Sequence, residues 1–104
     1  MIAVVYTFYV RSDRKKEFIK AWYKLTKIIS KYGGIVSSKL HADRYGNYKV
    51  YALWPDEITW KEAREKLPRK ADKWKSKMRE SIERMMVSRE LENVADLNNS
   101  NLFI

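Results

Sequence analysis

Residues 2–10, IAVVYTFYV, are apolar or aromatic at nearly every position. One parity holds Ile2, Val4, Tyr6, Phe8 and Val10, and the other holds Ala3, Val5, Thr7 and Tyr9. A strand with one wet face alternates apolar and polar residues, whereas a run that is apolar on both parities is covered twice. The run is too short for a core helix, and its β-branched and aromatic side chains suit a pleated surface. Any fold of this chain must therefore cover both sides of a central strand.

The residues that follow supply one cover. Ser12 or Asp13 is placed to cap a helix. In that helix Phe18, Ala21, Trp22, Leu25, Ile28, Ile29 and Tyr32 recur at helical spacing, opposite Lys16, Lys20, Lys24, Lys27 and Lys31. Gly33 and Gly34 end the helix, because glycine accepts the left-handed conformation there. Residues 35–43 read as an edge or half-exposed strand, with Val36, Leu40 and Ala42 on one parity and Lys39, His41 and Asp43 on the other. Residues 44–47, RYGN, form the turn into a third strand over 48–54, YKVYALW, again apolar on both parities.

Pro55 stops that strand because it cannot donate to a ladder. Asp56 is a good N-cap, and Glu57 suits the positive first turn. Trp60, Ala63 and Leu67 share a face of the short helix that Pro68 closes. A third helix is expected from about Lys70 into the mid-eighties, with Ala71, Trp74, Met78, Ile82 and Met85 at helical spacing. Residues 87–97 read as a fourth strand, and 97–104 as a polar tether tipped by Leu102, Phe103 and Ile104.

The order is β-α-β-β-α-α-β, an α+β ferredoxin-like arrangement of a four-stranded antiparallel sheet whose second helical crossover is split. Its 104 residues fit a single core, and residues 1–96 are read as one domain. Helices cover only one face of such a sheet. The second apolar face is too large for a monomer to leave bare. A homodimer through the open sheet face is expected, with the apolar tip at 102–104 reaching the partner.

The chain has no cysteine, which excludes disulfides and thiolate sites. Residues 2–10 follow no basic segment or cleavage signature and are too short to span a bilayer, so a cytoplasmic protein with no membrane association is expected. The net charge of +9 favours anionic partners. Most of it lies on the polar faces of the first and third helices. Nucleic-acid binding is disfavoured, because the first strand lacks the exposed aromatic and basic pattern of an RNA-stacking sheet, whose face is the one assigned to the dimer.

The first strand, the helix with Phe18 and Trp22, the GG pair, the hairpin, YALWPDEITWKEAREKL and MRESIE together resemble the antibiotic biosynthesis monooxygenase superfamily, the dimeric α+β barrel proteins. The resemblance covers most of residues 2–96. It implies a dimer of two four-stranded sheets, with a pocket between sheet and helices in each subunit. The family includes cofactor-independent oxygenases acting on polycyclic phenols and anthrones, haem-degrading enzymes, and isomerase-like and decomposing relatives. The haem-degrading branch uses an Asn on the first strand, a Trp ending the third and a His on the last helix. Trp54 matches that Trp, Phe8 stands at the Asn position, and residues 70–86 contain no His, so the resemblance argues against haem degradation.

The candidate pocket is Trp54, Tyr6, Phe8, Trp22, Trp74 and Met78, with no metal, no cofactor and no assigned catalytic residue; its expected ligand is a hydrophobic aromatic small molecule. Trp54 shares a parity with Tyr48, Val50 and Ala52, and reads equally as core or as pocket rim. Trp22 and Trp74 lie on apolar helix faces and read first as core. Met78, Met85 and Met86 suit either an adaptable wall or gap filling. Tyr6, Tyr9 and Tyr51 carry hydroxyls on central strands. Trp60 falls at N4 and Pro55 at N′, the positions of a hydrophobic staple, so its role reads as structural. His41 is the only histidine and lies on the polar parity of the edge strand, exposed and uninvolved. Asp56, Glu57, Glu62 and Glu65 read as capping and helix-surface charges. The oxygenase reading stands beside a non-catalytic binding or interaction module on the same scaffold, and beside nucleic-acid binding through the basic helices.

Overall fold

The computed structural model describes residues 1–92, with residues 88–90 described by their backbone alone. The expected tail over 97–104 and the end of the expected fourth strand lie outside the described residues. Four strands form one antiparallel sheet in the order β2-β3-β1-β4: β1 Ile2–Val10, β2 Ser37–Ala42, β3 Tyr48–Trp54 and β4 Ile82–Glu92. Helix α1 (Lys15–Ile28) crosses from β1 to β2 and ends in a π turn at Ile29–Gly33. Helix α2 (Glu57–Glu62), a 3-10 turn at Ala63–Lys66 and α3 (Ala71–Ser81) connect β3 to β4. This is the expected α+β ferredoxin-like arrangement, with β1 central and β2 at an edge.

The register decides what faces the helices. β1 pairs with β3 from Ile2 opposite Trp54 to Phe8 opposite Tyr48. Residues opposite one another point the same way, so Val4, Tyr6 and Phe8 share a face with Val50, Ala52 and Trp54. Phe18, Ala21, Ala63 and Met78 complete the core on that side. The Phe18 ring packs between Phe8 and Tyr48, with centroids 5.1 and 5.3 Å away. On the opposite face Val5 and Tyr9 are half-buried, while Tyr51, Met86 and Leu91 are exposed. Among the described residues no helix packs there.

The third helix is shorter than its periodicity predicts. Ile82 turns extended (φ −115°, ψ 150°), so Ile82 and Met85 belong to β4, which begins five residues before the expected start at 87. A helix continuing past Ser81 would leave one edge of β1 unpaired, and buried backbone groups require partners. The Arg11 N–H donates to the Ser81 carbonyl and the Ser81 hydroxyl to the Lys77 carbonyl, which closes the helix without a glycine. Register shifts opposite Val5/Tyr6 and Tyr9/Val10 interrupt the alternation of β4 and conceal it from a period-two reading.

Neither Ser12 nor Asp13 caps α1. The N-cap is Arg14, without a side-chain hydrogen bond. A turn in which the Arg14 N–H reaches the Arg11 carbonyl carries the chain past both residues before the helix begins. Asp56 does cap α2: its carboxylate accepts the Thr59 N–H at 2.7 Å, and that bond holds its pKa below the ordinary aspartate value.

Gly34 ends the first crossover at φ 87°, where an added Cβ would stand 2.8 Å from Thr59 Cγ2. Gly46, at φ 83°, faces only the flexible end of Lys15. Gly34→Ala should lose about 1–3 kcal/mol of stability in urea denaturation, through left-handed strain plus the Thr59 contact. Gly46→Ala should lose only the strain, about 1–2 kcal/mol. Equal losses would show that the Thr59 contact relaxes freely.

Candidate functional site

Between the inner face of the sheet and the helices lies a cleft of two lobes. The outer lobe has a volume of about 640 Å³ and the inner about 210 Å³. Tyr6, Leu25, Ile29, Trp54 and Met85 line both, so the two lobes meet at these side chains. The strand parity of β1 and β3 aims Tyr6 and Trp54 there, while α1 contributes Leu25 and the π turn contributes Ile29.

The inner lobe is walled by Phe8, Trp22, Val50, Ala52 and Met78, with the hydroxyls of Thr26 and Ser38 and no charged side chain. The outer lobe adds Trp60, Ala63 and Leu67, the apolar face of the α2 segment. It also carries charge, from Lys61, Arg64 and Lys75 against Glu65. Lys61 forms an ion pair with Glu57 one turn earlier on α2.

Two indoles dominate the polar geometry. The Trp60 Nε1–H donates to the Tyr6 hydroxyl at 2.7 Å and so joins the α2 segment to the central strand. Trp60 is therefore more than a helix-start staple: it is part of the cleft wall. Trp54 is only 4% exposed, and its Nε1–H is buried without an acceptor. A buried donor left unpaired costs about 1–3 kcal/mol, which makes Trp54 the most conspicuous polar defect among the described residues.

Of the six sequence candidates, the structure brings five to this cleft: Tyr6, Phe8, Trp22, Trp54 and Met78. Trp74 lies elsewhere. It borders a groove of about 310 Å³ with Lys24, Lys27, Ile28, Lys31, Tyr32 and Lys70. It is partly buried against the core and borders α1 residues outside the cleft. Lysine ammonium groups lie over both rings of that groove, Lys73 over Trp74 at 4.9 Å and Lys70 over Tyr32 at 5.2 Å. The charges of Lys31 and Lys70 hold the Tyr32 hydroxyl below the usual phenol pKa.

Met85 lines both lobes, whereas Met86 faces the other side of the sheet, where its sulfur accepts from the Tyr9 hydroxyl at 3.9 Å. His41 is exposed on β2 opposite Lys49, away from the cleft. Sequence reasoning missed Trp60, Lys61, Arg64 and Lys75. The shared face of Trp60, Ala63 and Leu67 was the available signal for the first of these. Surface lysines and arginines carry none.

Among the described residues no group of three or more His, Cys, Asp or Glu could hold a metal ion, and no helix is long and apolar enough to cross a membrane. No protein-family model and no curated protein matches the sequence. Solved structures do match. Rv0793 from Mycobacterium tuberculosis aligns over 91% of this chain and 96% of its own, with TM-score 0.71 and 16% identity. A variant of SnoaB, a cofactor-independent oxygenase from Streptomyces nogalater, aligns over 93% and 96%, with TM-score 0.71 and 16% identity. A Caulobacter crescentus protein ascribed to the antibiotic biosynthesis monooxygenases aligns over 90% of both chains, with TM-score 0.74 and 21% identity. The chain thus has the ferredoxin-like α+β fold of the antibiotic biosynthesis monooxygenase structures.

Proposed function

We propose that the protein is a cofactor-independent oxygenase acting on an electron-rich aromatic or polyketide-like small molecule bound in the two-lobed cleft. The observation that carries this reading is the aromatic cleft lined by Tyr6, Phe8, Trp22 and Trp54, the last with a buried indole N–H that has no partner. The naming of SnoaB as a cofactor-independent oxygenase supports the reaction class.

The chemistry asks little of the protein. A phenolate or enolate can itself reduce dioxygen; one oxygen atom enters the ring carbon as a carbonyl and the other leaves as water, with the electrons drawn from the substrate. The chain has to bind the ring system, exclude water and stabilise the anionic oxygen. The apolar inner lobe performs the first two tasks. The Trp54 N–H is buried without a partner, so a turn of the ring toward the cleft would supply a donor to a ligand oxyanion. Tyr6, already held by Trp60, would fix the ring edge on the opposite side of the junction.

The oxygenase works as a homodimer in the cytoplasm. The homodimer reading is supported by Tyr51, Met86 and Leu91, which project from the sheet face that no described helix covers. A second copy is the simplest cover for such a face.

Two measurements test these readings. Dithranol, an anthrone, should drive oxygen uptake above its autoxidation rate, and Trp54→Phe should slow that uptake about a hundredfold. The same substitution keeps most of the ring and should change stability by less than about 1 kcal/mol. Uptake that is unaffected by Trp54→Phe would sink the mechanism, and binding without uptake would identify a ligand-binding module instead. Sedimentation at micromolar concentration should give a dimer that Tyr51→Glu converts to a folded monomer. A monomeric wild-type protein would refute the dimer.

A further inference from the structure

The charges around the outer lobe narrow the ligand further. We infer that the cleft binds an aromatic carboxylic acid, with its rings in the inner lobe and its carboxylate at the mouth between Lys75 and Arg64. The inference rests on the reading of the cleft as a small-molecule site.

The size of the lobes comes first. Ordinary small-molecule sites occupy about 300–1,000 Å³. The inner lobe, at about 210 Å³, falls below that range, and the outer, at about 640 Å³, lies within it. A ligand that buries its rings among Phe8, Trp22 and Met78 and fills a site of ordinary size therefore extends past Tyr6 and Trp54 into the outer lobe. What it meets there is basic. Three cationic side chains line the outer lobe against one carboxylate, that of Glu65.

The cations are not equivalent. Lys61 already has Glu57 as its counter-ion. Arg64, on the 3-10 turn, and Lys75, on α3, approach the lobe from different elements, and neither forms an ion pair within the described residues. Lys75 is half-buried in a wall that includes Met85 and Val87. A ligand anion in the outer lobe would give both cations the counter-charge that no ion pair among the described residues supplies. A planar carboxylate also matches the forked guanidinium of Arg64. The cleft is thus polarised along its length, uncharged at one end and cationic at the other, as a ring system bearing a single acid group would require.

The test compares 2-naphthoate with its uncharged isostere 2-naphthamide, both titrated against tryptophan fluorescence and checked by calorimetry at physiological salt. Wild-type protein should bind the acid at least about tenfold more tightly than the amide, the effect of one charge-assisted contact. Lys75→Met and Arg64→Met should each weaken the acid about tenfold and leave the amide within about twofold, with thermal unfolding confirming that both variants fold. Lys24→Met removes the same charge away from the cleft and separates a placed contact from the attraction of a +9 protein. Equal binding of acid and amide would overturn the carboxylate inference while leaving the aromatic cleft intact. So would a loss of acid binding in Lys24→Met as large as that in Lys75→Met. Failure of both probes to bind would overturn the inference together with the small-molecule site.

Discussion

β1 is hydrogen-bonded along both edges, to β3 on one side and β4 on the other, and the positions of the other elements follow from that double pairing. Because strand side chains alternate, fixing the register of β1 fixes at once that Val4, Tyr6 and Phe8 face the helices. Across the ladder it fixes Val50, Ala52 and Trp54 on the same side. A slip of one residue between the two strands would put Tyr6 and Trp54 on opposite faces and dismantle the cleft. The same constraint explains why α3 stops at Ser81. The free edge of β1 needs a partner, and the chain from Ile82 onward supplies it.

The cleft exists because the second crossover does not close tightly over the sheet. In place of one long helix, the chain uses a short helix, a 3-10 turn and α3. The short pieces stand at the edge of the inner face, where the Trp60–Tyr6 hydrogen bond ties them to the central strand. That bond closes one wall of the outer lobe and at the same time satisfies the Trp60 indole. Trp54, a few residues earlier, receives no such partner. Two tryptophans close in sequence thus differ in their polar pairing: the Trp60 indole is satisfied within the fold and the buried Trp54 indole is not.

The apolar pattern of β1 and β3 makes a second demand that the described chain does not meet by itself. Tyr51, Met86 and Leu91 stand on the face opposite the helices, exposed at 43–47%. Single exposed hydrophobics are ordinary, but these lie on one face of one sheet, beside the half-buried Val5 and Tyr9. The helix-facing side lines the cleft and the other side carries the apolar surface, so the two features occupy opposite faces of one strand.

Much of this was legible in the residues alone. The doubly apolar run of β1, the glycine stop at Gly34, the proline stop at Pro55 and the Asp56 cap are local decisions of backbone chemistry and side-chain period. They determined the order of elements, and parity then placed Tyr6, Phe8 and Trp54 together. Tertiary pairing decided the rest. The Ile82–Met85 stretch fits a helix by period, yet becomes strand because the edge of β1 has to be paired. Trp74 shares the period of a core helix, yet it borders α1 residues outside the cleft. The Trp60–Tyr6 bond spans 54 positions, and the convergence of Arg64 and Lys75 joins two separate elements. No local pattern encodes either one, because both depend on where distant parts of the chain come to rest. The sequence alone determined the order of the elements and the inward faces of β1 and β3, and only the folded chain determined where α3 gives way to β4, which polar groups stand together and which, among the described residues, stands without a partner.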